Sequence, residues 1–239
     1  MNVYEIKSIG QYLEGNTYPG RGIIIGKSAD GKSAVAAYFI MGRSSNSRNR
    51  IFAEKDGIVY TEPFDASKIE APSLIIYPAI REYENNLIVT NGDHTNTVYE
   101  GLRSGLSFDA ALATREFEPD GPNWTPRISG LLMFRNGGFT YKMSILKSGD
   151  REGSFCNRFG FHYAPQAGLG HIIHTYACDG NPIPSFCGEP VRLSVPSDID
   201  AFTAEIWKAL DENNRISLYV CYIDLESGEK TSRMINKNQ

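Results

Sequence analysis

The chain is poor in the residues that announce the commoner chemistries. It has four cysteines in 239 residues (Cys156, Cys178, Cys187 and Cys221) and no two of them stand at CxxC spacing. Neither a zinc ribbon nor a disulfide-stapled framework is expected, and the thiols are read as free in a reducing cytoplasm. Histidines also number four. His171 and His174 fall in "GLGHIIHTYAC", which reads as a strand, and residues three apart on a strand point to opposite faces. The other two lie far off in sequence, so no metal site is expected. "GKSADGKS" has the spelling of a P-loop but reads as a hairpin turning at Asp30-Gly31 and opens no helix, so no P-loop is expected. No GxGxxG opening a helix and no GxSxG occurs, which leaves dinucleotide and serine-hydrolase chemistry without their usual signatures. Apolar runs are short, so no membrane span is expected. "MNVYEIKSIGQYLEG" lacks the basic-then-apolar pattern of a signal peptide. The net charge is -4, without a block of one sign, and the basic stripe that a nucleic-acid binder needs is missing.

Glycine (23) and tyrosine (13) are plentiful, a composition that favours strands and tight turns. Five hairpins are predicted, turning at Asp30-Gly31, Asp56-Gly57, Glu84-Asn85-Asn86, Asn136-Gly137-Gly138 and Ser227-Gly228, each between runs rich in β-branched and aromatic residues. "SLIIYPAI" with "NLIVT" makes the third. Helices are predicted from Thr97 ("TVYEGLRSG"), from Ser107 as N-cap ("SFDAALATREF"), and over "SDIDAFTAEIWKAL", where Ile199, Phe202, Ile206, Ala209 and Leu210 form one stripe that stops at Asn213-Asn214. Helices fall between blocks of strands, so the class is α+β with antiparallel sheets, and residues 1–239 read as one domain.

Four polar stretches could carry chemistry. "MGRSSNSRNR" leaves a strand with Arg43, Arg48 and Arg50 among serines and asparagines, a set of charge-assisted donors suited to a phosphate monoester, or else a solvated loop. "PDGPNWTPRISG" sets Asp120, Asn123, Thr125 and Arg127 on a proline-stiffened loop, with Trp124 read as core. "NGDHTNT" follows "LIVT"; Asp93 or Thr95 could cap the next helix, and backbone N–H groups at such a start favour an anion or a polarised carbonyl oxygen. The Gly/Pro-punctuated segment from Gly160 to Pro190, with His162, His174, Tyr176 and Glu189, either lines a cleft or is irregular surface.

Together, "YPGRGIIIGKS", "SRNR", "IIYPAIR…LIVTNGDHTNT" and "NWTPRISG" resemble, in this order, the archaeal-type inosine monophosphate cyclohydrolases and their bacterial relatives. The likeness is best over roughly the first 150 residues. It implies a four-layer αββα sandwich of antiparallel sheets, like the N-terminal-nucleophile hydrolases. The opening Met1-Asn2-Val3 offers no nucleophilic first residue, so neither self-processing nor an acyl-enzyme is expected. The implied reaction is the dehydrative closure of a 5-formamidoimidazole-4-carboxamide ribotide to inosine monophosphate (IMP), with no cofactor. The resemblance assigns Arg21 and Arg50 to the phosphate or to the polarised oxygen, with Arg50 and Tyr77 in the catalytic set, Tyr77 being alternatively a tyrosine of a core strand. It assigns Asp120 as general base with Glu118 as rival, and His94 as a further proton carrier. Ser47, Asn49, Asn91, Asp93, Thr95, Thr125 and Arg127 are the expected substrate-binding residues, with Arg127 alternatively anchoring the loop by a salt bridge. The expected partners are a small purine ribonucleotide and further copies of the chain, with no nucleic acid and no membrane. The alternatives are an amidohydrolase of the same fold or a purine-nucleotide-binding protein without catalysis.

Overall fold

Period-two alternation of apolar side chains shapes the molecule. The computed structural model describes residues 2, 4–68 and 76–238. Its strands are β1 (Gly22–Lys27), β2 (Ser33–Met41), β3 (Ile51–Lys55), β4 (Ile58–Glu62), β5 (Tyr77–Tyr83), β6 (Asn86–Thr90), β7 (Arg127–Arg135), β8 (Gly138–Ser148), β9 (Cys156–Tyr163), β10 (Leu169–His174), β11 (Val191–Ser194), β12 (Arg215–Asp224) and β13 (Lys230–Asn236). Its helices are α1 (Ile9–Leu13), α2 (Ser45–Arg48), α3 (His94–Arg103), α4 (Phe108–Leu112) and α5 (Ile199–Ala209).

The strands form two antiparallel sheets. One has six strands in the order β11-β10-β1-β2-β12-β13, the other seven in simple succession from β3 to β9. Ile23 and Ile25 of β1 point into a core between the sheets, where they meet Tyr77, Val89, Ile128 and Ile145. Ile24, one residue out of phase, lies with Phe202 and Ile206 of α5 and Ile9 and Leu13 of α1 on the outer face. A third cluster joins Val98 of α3 and Phe108 and Leu112 of α4 to Ile88, Leu131 and Leu146 on the outer face of the second sheet. Each fully buried aliphatic or Phe side chain contributes about 1.5–3 kcal/mol relative to exposure. Strands covered on both faces read as unbroken apolar runs, which is why β1 and β2 show so little polar alternation.

All five predicted hairpin turns join the expected strands. Part of "SLIIYPAI" lies outside the described residues; the strand is described from Tyr77. Ser107 caps α4 by accepting from the Ala110 N–H at 3.2 Å, and Asp198 caps α5 by accepting from Ala201 at 2.7 Å. Three helix boundaries differ from expectation. Helix α4 ends at Leu112 and does not run on to Phe117. Helix α5 ends at Ala209, because Leu210 turns to extended backbone (ψ 135°) as it goes into the outer-face core. Helix α3 starts at His94 rather than Thr97, and its N-cap Asp93 makes no side-chain cap. The Asp93 carboxylate is held instead by two arginines. The "MGRSSNSRNR" stretch, expected as a loop, contains one helical turn, α2, capped by Ser44.

Asn236 stands where the two sheets meet at one side. Its amide accepts from the Phe52 N–H at 2.8 Å and donates to the Phe52 carbonyl at 3.0 Å, giving β3 of one sheet a partner at the end of the other.

Candidate functional site

The site begins at the turn before β1. Gly20 has φ +80°, and a Cβ there would collide with Thr175 Oγ1 and the Tyr176 ring, so only glycine lets the chain pass this close. The next residue is thereby pinned. Arg21 N–H donates to Thr175 Oγ1 at 3.1 Å, and its carbonyl accepts from Thr175 N–H at 2.9 Å. Its guanidinium grips Glu118 with both nitrogens, at 2.9 and 3.2 Å, and Nη1 reaches the Asn91 carbonyl at 3.3 Å. Burial opposes the charge on Arg21, but Glu118, Tyr77, Tyr176 and Tyr38 outweigh it and hold its pKa well above the ordinary value.

This ion pair lies in a cleft of about 400 Å³ that is also lined by Tyr18, Met41, Arg43, Ser44, Asn46, Ser47, Arg50, Asp120, Asn123, Thr125, Tyr176 and Ile183. A compact set of cations and hydroxyls forms one wall. Gly42 lets α2 fold back against β2, since a Cβ there would sit 2.6 Å from the Ser47 carbonyl oxygen. Arg50 is buried; it donates to the Ser47 carbonyl at 2.8 Å and the Met41 carbonyl at 3.2 Å, and its Nη1 makes no hydrogen bond among the described residues. Arg43 pairs with Asp179 and lies over the Tyr18 ring at 5.0 Å. The opposite wall is the proline-stiffened loop, where Asp120 accepts from the Thr125 N–H at 2.7 Å and from its hydroxyl.

Of the residues expected from the sequence, Arg21, Ser47, Arg50, Asp120 and Thr125 line this cleft together, as does the rival Glu118. Tyr77 lies behind it: its hydroxyl meets Tyr38 at 2.9 Å in the inter-sheet core. Burial, then Tyr77, raises the pKa of Tyr38 well above the usual phenol value. Asn49 is turned away, exchanging hydrogen bonds with the backbone of Asp65 at 2.7 and 2.8 Å.

"NGDHTNT" is a clasp behind the cleft. Asn91 bonds the Pro126 carbonyl at 2.9 Å and the Ile128 N–H at 2.8 Å. Thr95 meets Thr90 hydroxyl to hydroxyl at 2.6 Å. Asp93 takes Arg115 at 2.6 and 2.7 Å and Arg127 at 2.8 Å. Burial raises the Asp93 pKa, but the arginines more than reverse this and leave it below the ordinary value. Fully buried His94 faces the Ile128 carbonyl with Nε2 at 3.2 Å, so Nε2 carries the proton; Nδ1 accepts from Arg127 Nη1 at 3.2 Å. Burial and then Arg127 push its pKa down to about 3. Both ring nitrogens are occupied and no edge of His94 lines the cleft. The loop touches the site at one point, the Asn91 carbonyl on Arg21.

Tyr18 and Ile183 of the cleft were not singled out in the sequence, and nothing in their local pattern marks them; Asn46 belongs to the arginine-rich stretch already read as a donor set. Tyr176 lies in the Gly/Pro-punctuated segment, whose cleft-lining option is the one the structure adopts at this residue. His171 and His174 go to opposite sides of β10: His171 bonds Tyr141 in the inter-sheet region, and His174 bonds Tyr12 of α1. Trp124, half-buried, packs edge-on to Phe117 and donates to the Arg151 carbonyl at 2.8 Å. A second depression, of about 540 Å³, lies at the far ends of β6 and β7 and has none of the expected residues in its lining.

The chain is similar to known proteins over about half its length. The chain is 32% identical over 119 residues to a protein of Methanococcus aeolicus named IMP cyclohydrolase, covering 48% of this chain and 58% of that one. It is 33% identical over 121 residues to the protein of that name from Methanocaldococcus jannaschii (48% and 56%) and 32% identical over 127 residues to that of Methanosphaera stadtmanae (51% and 61%). The chain thus spans less than two thirds of the length of these curated relatives. A model of the family described as IMP cyclohydrolase-like protein matches residues 18–229. That match takes in most of the chain, and the protein belongs to the IMP cyclohydrolase-like family.

Proposed function

We propose that the cleft closes the second ring of a purine ribotide, converting 5-formamidoimidazole-4-carboxamide ribonucleotide to IMP with loss of water. The observation that carries this is the buried Arg21–Glu118 pair on the same cleft as Arg43, Ser44, Ser47 and Arg50, in a chain whose archaeal relatives are named for this activity.

Nucleophile and electrophile belong to one molecule, so holding the carboxamide against the formamide is the first requirement. The arginines and serines of the α2 wall suit the 5′-phosphate, for which Arg50 has Nη1 to give. Arg21 polarises the formyl oxygen as it gathers negative charge. Glu118 accepts a proton from the carboxamide nitrogen as that nitrogen bonds the formyl carbon. The proton is passed to the formyl oxygen, the formamide N–H proton follows to the same oxygen as the ring C=N bond forms and the C–O bond breaks, and the oxygen leaves as water. Both carboxylates have both oxygens hydrogen-bonded. Glu118 rather than Asp120 takes this role because its partner is Arg21, the group that polarises the reacting oxygen, whereas Asp120 is bound to its own loop. Tyr77, with Tyr38, acts through Arg21 as a positioning residue. His94, Asp93, Asn91, Thr95 and Arg127 hold the floor under Arg21 and do not carry protons. Asn49 fixes the end of the α2 wall.

The helices against both outer faces support the finer architecture, a four-layer αββα sandwich of the N-terminal-nucleophile-hydrolase type, in a single domain. A cytoplasmic location and a homo-oligomer complete the proposal. The test is ultraviolet spectroscopy of the protein with the formamido ribotide, since ring closure changes the absorbance. Appearance of IMP at a rate proportional to protein supports the proposal. IMP binding without turnover marks a nucleotide-binding module, and hydrolysis of the formamide marks an amidohydrolase.

A further inference from the structure

Tyr176 enters the cleft from the segment between β10 and β11, and no step above uses it. Its hydroxyl lies 2.5 Å from Thr125 Oγ1, which in turn makes a short hydrogen bond to Asp120 Oδ2. Asp120 Oδ1 takes the Thr125 backbone N–H at 2.7 Å. All three residues line the cleft; Thr125 is fully buried and Tyr176 nearly so. The ring is fixed by stacking on Tyr18 at 5.7 Å.

The direction of the protons follows from an inventory of donors. A carboxylate only accepts, so the single Thr125 hydroxyl proton goes to Asp120. Thr125 Oγ1 then accepts from Tyr176, whose single proton is thereby committed. What the phenol oxygen has left is a lone pair. Burial pushes the Tyr176 pKa up to about 12 despite Arg21 nearby, so the phenol keeps its proton at neutral pH.

We propose that Tyr176 is a specificity-determining residue: an acceptor that reads an N–H or O–H donor on the bound ribotide, with its polarity set by Asp120 through Thr125. This rests on the nucleotide reading above. In IMP the donor is either the ring amide N–H or a ribose hydroxyl.

The chain of bonds makes a second variant informative. In Asp120→Asn the side-chain oxygen must stay on the Thr125 backbone N–H, which can only donate. The new NH2 then donates to Thr125 Oγ1, the Thr125 proton turns to Tyr176, and the Tyr176 proton turns to the ligand. Donor meets donor, so Asp120→Asn and Tyr176→Phe remove the same contact.

Calorimetric titration of IMP, 1-methyl-IMP, 2′-deoxy-IMP and 3′-deoxy-IMP into wild type, the two variants and their double variant tests this. Each single variant is expected to weaken IMP binding about tenfold or more, as expected when a ligand donor loses its buried acceptor. The double variant is expected to be no more than about threefold weaker than either single one. One analogue is expected to bind wild type and Tyr176→Phe within about twofold, and it identifies the donor as base or sugar. IMP binding by Tyr176→Phe within about twofold of wild type overturns the inference alone, as do additive losses in the double variant or no analogue with matched affinities. Failure of wild type to bind IMP overturns the functional reading with it.

Discussion

Arg50 and Tyr77 were both marked by family resemblance, and the structure gives them different environments. Arg50 lines the cleft and is braced by two backbone carbonyls; Tyr77 is sealed behind Arg21 with its hydroxyl on Tyr38. Arg50→Ala is therefore expected to raise KM about tenfold to a hundredfold with kcat nearly unchanged, the effect of losing a charge-assisted bond that is equal in ground and transition states. Steady-state kinetics with the formamido ribotide reads it directly, and an unchanged KM removes Arg50 from the phosphate grip. Tyr77→Phe is expected to lower kcat about tenfold or more with KM within about threefold, because it disturbs the field around Arg21 and not the grip on the ligand. A kcat within about threefold of wild type would leave Tyr77 as core packing only. At this scale the sequence marked Arg21, Arg50 and Thr125, and all three line the cleft. Expectation and placement part where a polar residue can serve either chemistry or structure. His94 and Asp93 look reactive in a row of letters, yet burial and the pairing of Asp93 with Arg115 and Arg127 make them parts of a clasp. A loop-anchoring salt bridge was one of two readings for Arg127; its partner Asp93 and the second arginine, Arg115, are distant in sequence, so no local pattern names them.

Elements were easier to read than contacts. Four turns with a glycine and one, Glu84-Asn85-Asn86, with paired asparagines each specify their own hairpin between apolar runs, and all five join the expected strands. The start of α3 was placed late, since Asp93, His94 and Thr95 have the composition of a turn while tertiary hydrogen bonds hold them at a helix start. Strands β9 and β11 left no clear signal. Strand β9 is largely exposed along its length, and β11 has four residues. The link from β3 to the other sheet also escapes local reading, because a side chain stands there in place of a strand. Asn236 supplies both a donor and an acceptor to Phe52. Asn236→Ala is expected to destabilise the fold by about 1–3 kcal/mol, from two buried backbone groups left without partners. Urea denaturation measures this, and a midpoint equal to wild type would show that water or the backbone replaces the amide without loss.

The whole molecule keeps three buried histidines neutral. Burial is the leading cause in each case, lowering His94 to about 3 and His171 and His174 to about 4. In the unfolded chain a histidine titrates near 6.5. Below that value the unfolded state binds protons that the folded state refuses, so stability is fully present above about pH 6.5 and falls as the pH drops toward 4 and then 3. Each unit of depressed pKa is worth about 1.4 kcal/mol, which makes the effect large for a protein of ordinary stability. The urea midpoint is expected to be clearly lower at pH 5 than at pH 7.5; equal midpoints would mean that these rings are protonated, or solvated, in the folded state. The same packing that excludes protons from the histidines brings together side chains from five separate stretches of chain at one cleft: Tyr18 to Arg21, Met41 to Arg50, Glu118 to Thr125, Tyr176 and Ile183. The most direct test of this convergence is a crystal structure of the protein with IMP. The phosphate is expected against Arg43, Ser44, Ser47 and Arg50, with the base between Tyr176 and the Arg21–Glu118 pair. Nucleotide seated instead in the depression at the far ends of β6 and β7, or bound away from Arg21, would contradict the account.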